Sequence, residues 1–253
     1  MSIEEMTSHY DQNYDLLFAD IHQNKKIYIG SKPVVTCRFC GLGKPDTSFR
    51  KTAHAIPEFL GNKCVIVNDE CDICNERFSR QLEDHLAKFT KPLRTFAQIK
   101  GKEGVPSYKS TDKKSRIDFV PGRGLKICDR IDSTIVSFNE QENAVTVNVH
   151  LEPYIPAAVY KCLVKIALSV IDRGELPAFE DTIRWITESD HSKQMLKSLH
   201  LVRTFIPGSR PNPTVALFVL RRKRTVKNVP YCVSVLAFGN SIYQIRVEIC
   251  DYR

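Results

Sequence analysis

Two Cys-x-x-Cys pairs, Cys37/Cys40 and Cys71/Cys74, bracket a histidine, His54, and an asparagine, Asn75, directly follows the last cysteine. Four soft thiolates in two pairs, about thirty residues apart, are the ligand set of a closed tetrahedral zinc site. One tight turn presents both sulfurs of a pair to a single ion. The second pair ties a distant segment to the first and so fixes what lies between. Here that includes Lys51-Thr52-Ala53-His54-Ala55-Ile56-Pro57-Glu58. The zinc is therefore the expected scaffold, and His54 the candidate chemistry.

The elements that must position His54 can be read from the same stretch. From about Val34 to Phe89 the chain holds Cys-Arg-Phe-Cys-Gly, a strand with His54, a turn at Gly61-Asn62, a strand Cys64–Asn68, and Cys-Asp-Ile-Cys-Asn opening a helix. This arrangement resembles the HNH endonuclease family, in particular its zinc-bound branch of the phage endonuclease VII kind. The resemblance covers this stretch, a little over a fifth of the chain, and nothing beyond it. It implies a ββα-metal fold, in which a β-hairpin carries the histidine and a catalytic divalent ion sits between hairpin and helix.

The resemblance also implies roles. His54 is the expected general base, since a neutral imidazole can take a proton from water near neutral pH. Asn75 is the expected ligand of a catalytic divalent ion such as Mg²⁺, and as an asparagine at a helix start it could equally cap that helix. Asn68 is expected to orient His54 or to brace the loop. The implied products carry 5′-phosphate and 3′-hydroxyl ends. One departure stands out: many members place Asp or Glu directly before the histidine, and this chain has Ala53. Either another carboxylate supplies the oxygen, or metal binding is weaker, or the domain is inactive. Glu83, eight residues after Asn75, points within a right angle of the same helix face, and His85 is about as far off on the other side. Glu83 is preferred because Mg²⁺ favours oxygen ligands.

Charge agrees with a phosphate-bearing substrate. The net charge is +8, and Lys88–Arg116 alone holds nine basic residues against two acids. Lys88, Lys91, Arg94, Lys100 and Lys102 lead that run and are the expected contacts to a nucleic-acid backbone, most simply double-stranded DNA. Arg221–Arg224 with Lys227 makes a second cluster. Nine cysteines leave an odd number for a disulfide framework, and the five outside the zinc pattern sit singly in apolar segments, so a reducing cytoplasm is expected. Nothing near Met1 reads as a signal peptide. The longest apolar stretch, Ala157–Ile171, is broken by Lys161 and Lys165, which argues against a membrane span.

The expected organisation is a helical lead-in over 1–32 ending in a short strand at Lys26–Ile29, a zinc-bound nuclease domain over 33–99, a basic linker over 100–116, and a C-terminal domain over 117–253. The nuclease helix is expected to run from Asn75 to Phe89, stopping before Pro92. Alternating Val145, Val147 and Val149 predict a strand after a turn at Asn139–Asn143. A helix is expected from Pro156, with Val159, Cys162, Leu163, Ile166 and Val170 inward and Lys161 and Lys165 outward. Further helices are expected at Pro177–Thr187 and Ser192–Leu199, and strands at Val215–Leu220, Tyr231–Phe238 and Ile242–Ile249. The fold class is α+β with a mostly antiparallel sheet. Two functions follow: a metal-dependent endonuclease, with or without a homodimer or partner protein, or a catalytically silent zinc-dependent nucleic-acid-binding or adaptor protein. Small proteins of this kind often serve bacterial anti-phage defence.

Overall fold

The computed structural model describes residues 3–21, 25–130, 135–193, 195, 199–208 and 211–249. Five α-helices lie at Ile3–Asn13 (α1), Asp72–Phe78 (α2), Asp84–Phe96 (α3), Pro156–Val170 (α4) and Glu180–Thr187 (α5). The strands are Tyr14–Asp20 (β1), Ile27–Ile29 (β2), Ala53–His54 (β3), Val65–Val67 (β4), Tyr108–Lys109 (β5), Arg116–Val120 (β6) and Gly124–Cys128 (β7). They continue with Val136–Asn139 (β8), Ala144–Val147 (β9), Leu201–Phe205 (β10), Asn212–Arg222 (β11), Cys232–Gly239 (β12) and Ser241–Val247 (β13). The class is α+β, as expected. A five-stranded antiparallel sheet runs β1-β11-β12-β13-β10, and a small sheet β2-β4-β3 carries His54. Among the described residues no helix is long and apolar enough to cross a membrane.

Four local expectations are corrected. Tyr14–Asp20 is a strand, because it pairs with the distant β11 from Tyr14↔Arg222 to Asp20↔Leu217. A bulge between Leu16 and Phe18 shifts the pleat by one residue, which is why its apolar spacing reads as helical. The nuclease helix does not stop at Pro92, which lies inside α3. A proline there removes one hydrogen bond and crowds the preceding turn. Side-chain bonds to other carbonyls reinforce the turns around it: Thr90 Oγ1 donates to Leu86 O (2.7 Å), Arg94 Nη2 to Ala87 O (2.8 Å) and Thr95 Oγ1 to Lys91 O (3.0 Å). Lys161 and Lys165 do not face water; both are fully buried in α4. Pro177 belongs to a 3₁₀ turn over Arg173–Phe179, so the α-helix of that segment begins only at Glu180. The helix expected at Ser192–Leu199 falls largely on residues outside those described.

The core explains the burial of α4. Helix α4 packs on α3, α5, β12 and β13, and one contiguous apolar cluster runs from Cys37 and Phe78 through α4 to Val247. With neighbours on all sides, even positions off the apolar stripe are covered.

Candidate active site and zinc centre

The first cysteine pair sits in a tight turn closed by Cys37 N–H to Leu42 O (2.8 Å) and Gly41 N–H to Cys37 O (3.0 Å). Gly41 has φ +71°, a left-handed conformation that glycine adopts without penalty. In the second pair Cys71 caps α2, its sulfur accepting from Cys74 N–H at 3.4 Å. The four Sγ atoms lie within 4.8 Å of one another, and Cys40 Sγ to Cys71 Sγ is 3.7 Å. A tetrahedron with Zn–S near 2.3 Å has S···S edges of about 3.8 Å, so the donors fit zinc in type and spacing. The amides of Phe39 and Cys71 donate to Cys37 Sγ at 3.5 and 3.4 Å and would stabilise its thiolate.

The hairpin follows. Strands β3 and β4 pair antiparallel, with Ala53 opposite Val67 and His54 opposite Ile66. The connection holds a 3₁₀ turn at Glu58–Leu60 and Gly61 at φ +95°. Asn62 locks it, its amide donating to Ile56 O at 2.7 Å while its oxygen accepts from Cys64 and Val65 N–H at 3.2 Å. Asp72 then fastens the approach to His54 onto α2. It accepts from Ser48 Oγ (2.5 Å), Lys51 N–H (2.8 Å) and Arg50 N–H (3.0 Å). Hairpin, four-cysteine cluster and helix therefore occur in the order and contact that the residue pattern implies.

Residues 37–90 match the family model of HNH endonucleases. No curated protein and no solved structure matches the chain. At family level the HNH segment supports nuclease activity and a nucleic-acid substrate.

His54, Asn75 and Glu83 of the HNH segment line one cleft of about 880 Å³, together with Glu58, Lys51, Arg80 and Lys102. The convergence of Asn75 and Glu83 has a local cause. Between α2 and α3, residues Ser79–Glu83 form a π turn, with Asp84 N–H bonded to Ser79 O. A π turn absorbs about one extra residue, so eight residues advance only as far as about seven α-helical ones, ~700°, which is nearly two full turns. Glu83 thus lies almost over Asn75 instead of ~80° away.

His54 is half-buried. Burial is the main cause holding its imidazole below the ordinary histidine value; Glu58 pulls it up, Lys165 pushes it down, and Glu83 pulls it up. It is therefore neutral near pH 7. Its Nε2 lies 3.8 Å from Glu58 Oε1, too long for a hydrogen bond but close enough to interact.

Asn68, His85, Lys88 and Lys91 lie outside the cleft lining. Asn68 donates its amide to Gly30 O at 2.9 Å, and its N–H bonds Ile29 O; it braces β2 against β4 and is not brought to His54. His85 accepts from Ile155 N–H at 3.1 Å and lies outside the cleft. Of the basic run, Arg94 and Lys102 line the cleft, and Lys100 is exposed. Lys88 pairs with Asp84 at 2.6 Å, and Lys91 pairs with Glu152. Arg94, though it lines the cleft, is 6% exposed, donates to Ala87 O and Thr90 Oγ1, and stacks 4.8 Å over the Phe59 ring, so it braces α3 as well.

Three residues of the site escaped the sequence reading. Glu58 sits four residues after His54, where a 3₁₀ turn aims it back at the imidazole, and the spacing alone could have marked it. Glu70, fully buried, and Lys165, fully buried, form an ion pair at 3.2 Å. Burial pushes the Glu70 carboxyl up to about 7 against the pull of Lys165. Burial would lower Lys165, but Glu70 and Glu83 hold it above the ordinary lysine value and keep it charged. A lysine 95 positions from Glu70 gives no signal in sequence.

Proposed function

We propose that this protein is a metal-dependent endonuclease that hydrolyses nucleic-acid phosphodiester bonds, with DNA as substrate. The observation that carries the reading is that His54, Asn75 and Glu83 line one cleft of mixed charge beside a four-cysteine zinc site. His54 accepts a proton from the attacking water as the water oxygen bonds to phosphorus and the bond to the 3′ oxygen breaks, and the leaving 3′ oxygen takes a proton from solvent. The products are 5′-phosphate and 3′-hydroxyl ends. Asn75 and Glu83 offer an amide oxygen and a carboxylate, hard donors suited to Mg²⁺. When bound there, such an ion supplies Lewis-acid stabilisation of the phosphate charge and the leaving oxygen. Glu83 replaces the acid missing at Ala53, and Glu58 is the second carboxylate in reach. Lys51, Arg80 and Lys102 rim the cleft where a phosphate backbone would lie. A bacterial anti-phage effector acting as a homodimer or with a partner protein is the biological setting that the family reading suggests.

The silent adaptor reading rests on Ala53 alone. Plasmid cleavage by zinc-loaded protein with EDTA, Mg²⁺, Mn²⁺ or Ni²⁺, beside His54→Ala, separates the two. Nicking or linearisation that needs the metal and is lost in the variant is expected. Salt-dependent binding without cleavage under any metal would leave the adaptor.

A further inference from the structure

Lys165 reaches the site from outside the HNH segment. It belongs to α4, more than seventy residues past the end of the family match, yet its ammonium meets three separate pieces of the candidate active site. It donates to His54 O at 3.2 Å on β3. It lies 3.7 Å from Glu83 Oε1 at the end of the π turn, and 3.2 Å from Glu70 Oε2 in the loop that leads into Cys71. The Phe78 ring closes the remaining side, 5.7 Å away.

Stability gives no reason for a charge here. Residues 163, 164, 166 and 167 around it are all buried and apolar, and an aliphatic side chain of similar length would fill the same space. Replacing a buried ion pair by packed apolar groups is often neutral or stabilising. The contacts of the ammonium are instead specific to the elements carrying the chemistry: the backbone of the general base and the carboxylate opposite Asn75. Arg38, inside the first cysteine pair, anchors the same helix at its C-terminal end, one turn beyond Lys165. It donates to Leu168 O at 3.0 Å and Ser169 O at 2.6 Å, where the helix dipole favours a cation. The zinc turn and α4 thus form one rigid frame, with Lys165 projecting from it between β3 and the π turn.

We infer that Lys165 is a positioning residue of the nuclease site, holding the strand of His54 and the turn of Glu83 at a fixed separation. This rests on the endonuclease reading for its catalytic meaning, while the clamp itself can be measured without turnover. A single Lys165→Met change strands Glu70 as a buried carboxylate, so the informative partner is the double variant Lys165→Met/Glu70→Gln, in which no buried charge is left unpaired.

Site-resolved amide hydrogen exchange on zinc-loaded protein tests the clamp. Exchange is expected to quicken by about ten-fold or more at Ala55, which bonds Val65 O across β3–β4, and at Asp84, which closes the π turn. The Gly41 amide in the zinc turn should be unchanged. In the cleavage assay kcat should fall about 10–100-fold with KM for DNA little altered, as for other residues that orient a site. Unchanged exchange at Ala55 and Asp84 overturns the proposal. So does an equal rise at Gly41, which would make Lys165 a general packing residue, and so does failure of both variants to fold. If the parent protein cleaves nothing, the nuclease reading falls, and the exchange rates still decide whether Lys165 clamps the two elements.

Discussion

Asn75 and Glu83 share one helix face because a single π turn between them absorbs a residue. An uninterrupted α-helix would set them ~80° apart and leave the cleft one carboxylate poorer. A carboxylate thus lines the cleft with His54 and Asn75 in a chain that has Ala53 directly before the histidine.

That relationship makes Glu83 the carboxylate to remove. Glu83→Gln is expected to weaken Mg²⁺- or Mn²⁺-dependent cleavage about 10–100-fold while zinc content stays constant. Glu58→Gln should have the smaller effect, because Glu58 faces the imidazole. Cleavage rates against metal concentration for both variants decide the order, and a larger loss in Glu58→Gln would transfer the ligand role.

The environment of His54 sets the sign of a pH effect. Burial holds its folded value below the ordinary 6.5, so in the window between the two the unfolded chain binds more protons. Stability from keeping His54 neutral is therefore full above that window and is lost as pH falls through it. An NMR titration of the ring in zinc-loaded protein, without other divalent ions, should give a midpoint below 6.5. A midpoint above it would mean that Glu58 and Glu83 dominate.

Arg38 joins the zinc turn to α4. It pairs with Asp69 at 2.8 Å while donating to the α4 carbonyls, and both side chains are buried. Arg38→Met strands the Asp69 charge except for Arg173, 3.3 Å away. The expected cost is about 3–5 kcal/mol by chemical denaturation. A loss below about 1 kcal/mol, the range of exposed pairs, would show that Arg173 suffices.

The basic residues divide by position. Removing Lys51, Arg80 or Lys102, which rim the cleft, should reduce the salt slope of DNA binding by about one phosphate each. Lys51 and Arg80 share Glu76 as a partner much as Lys88 and Lys91 pair with Asp84 and Glu152, so position alone separates the groups: Lys88→Ala and Lys91→Ala, outside the cleft lining, should leave the slope nearly unchanged. Equal effects from both groups would move the interface onto the outer face of α3.

What the sequence by itself determined is local. Cysteine spacing, the histidine between the pairs, and alternation in β12 and β13 are patterns a few residues long, and each survives in the fold because its physical cause is equally short in range. The α+β class follows from the same patterns. Longer-range contacts decided the rest. Tyr14–Asp20 became a strand only because β11, two hundred residues away, offered it a ladder. Pro92 stayed helical because side-chain hydrogen bonds and packing against α4 outweighed its local penalty. Arg94 and Lys165 look like surface charges in a list of residues, yet one braces a helix and the other contacts the strand of His54 and the carboxylate of Glu83. Burial of a charge depends on what surrounds it in space, and that is settled only when α4 closes over the zinc turn.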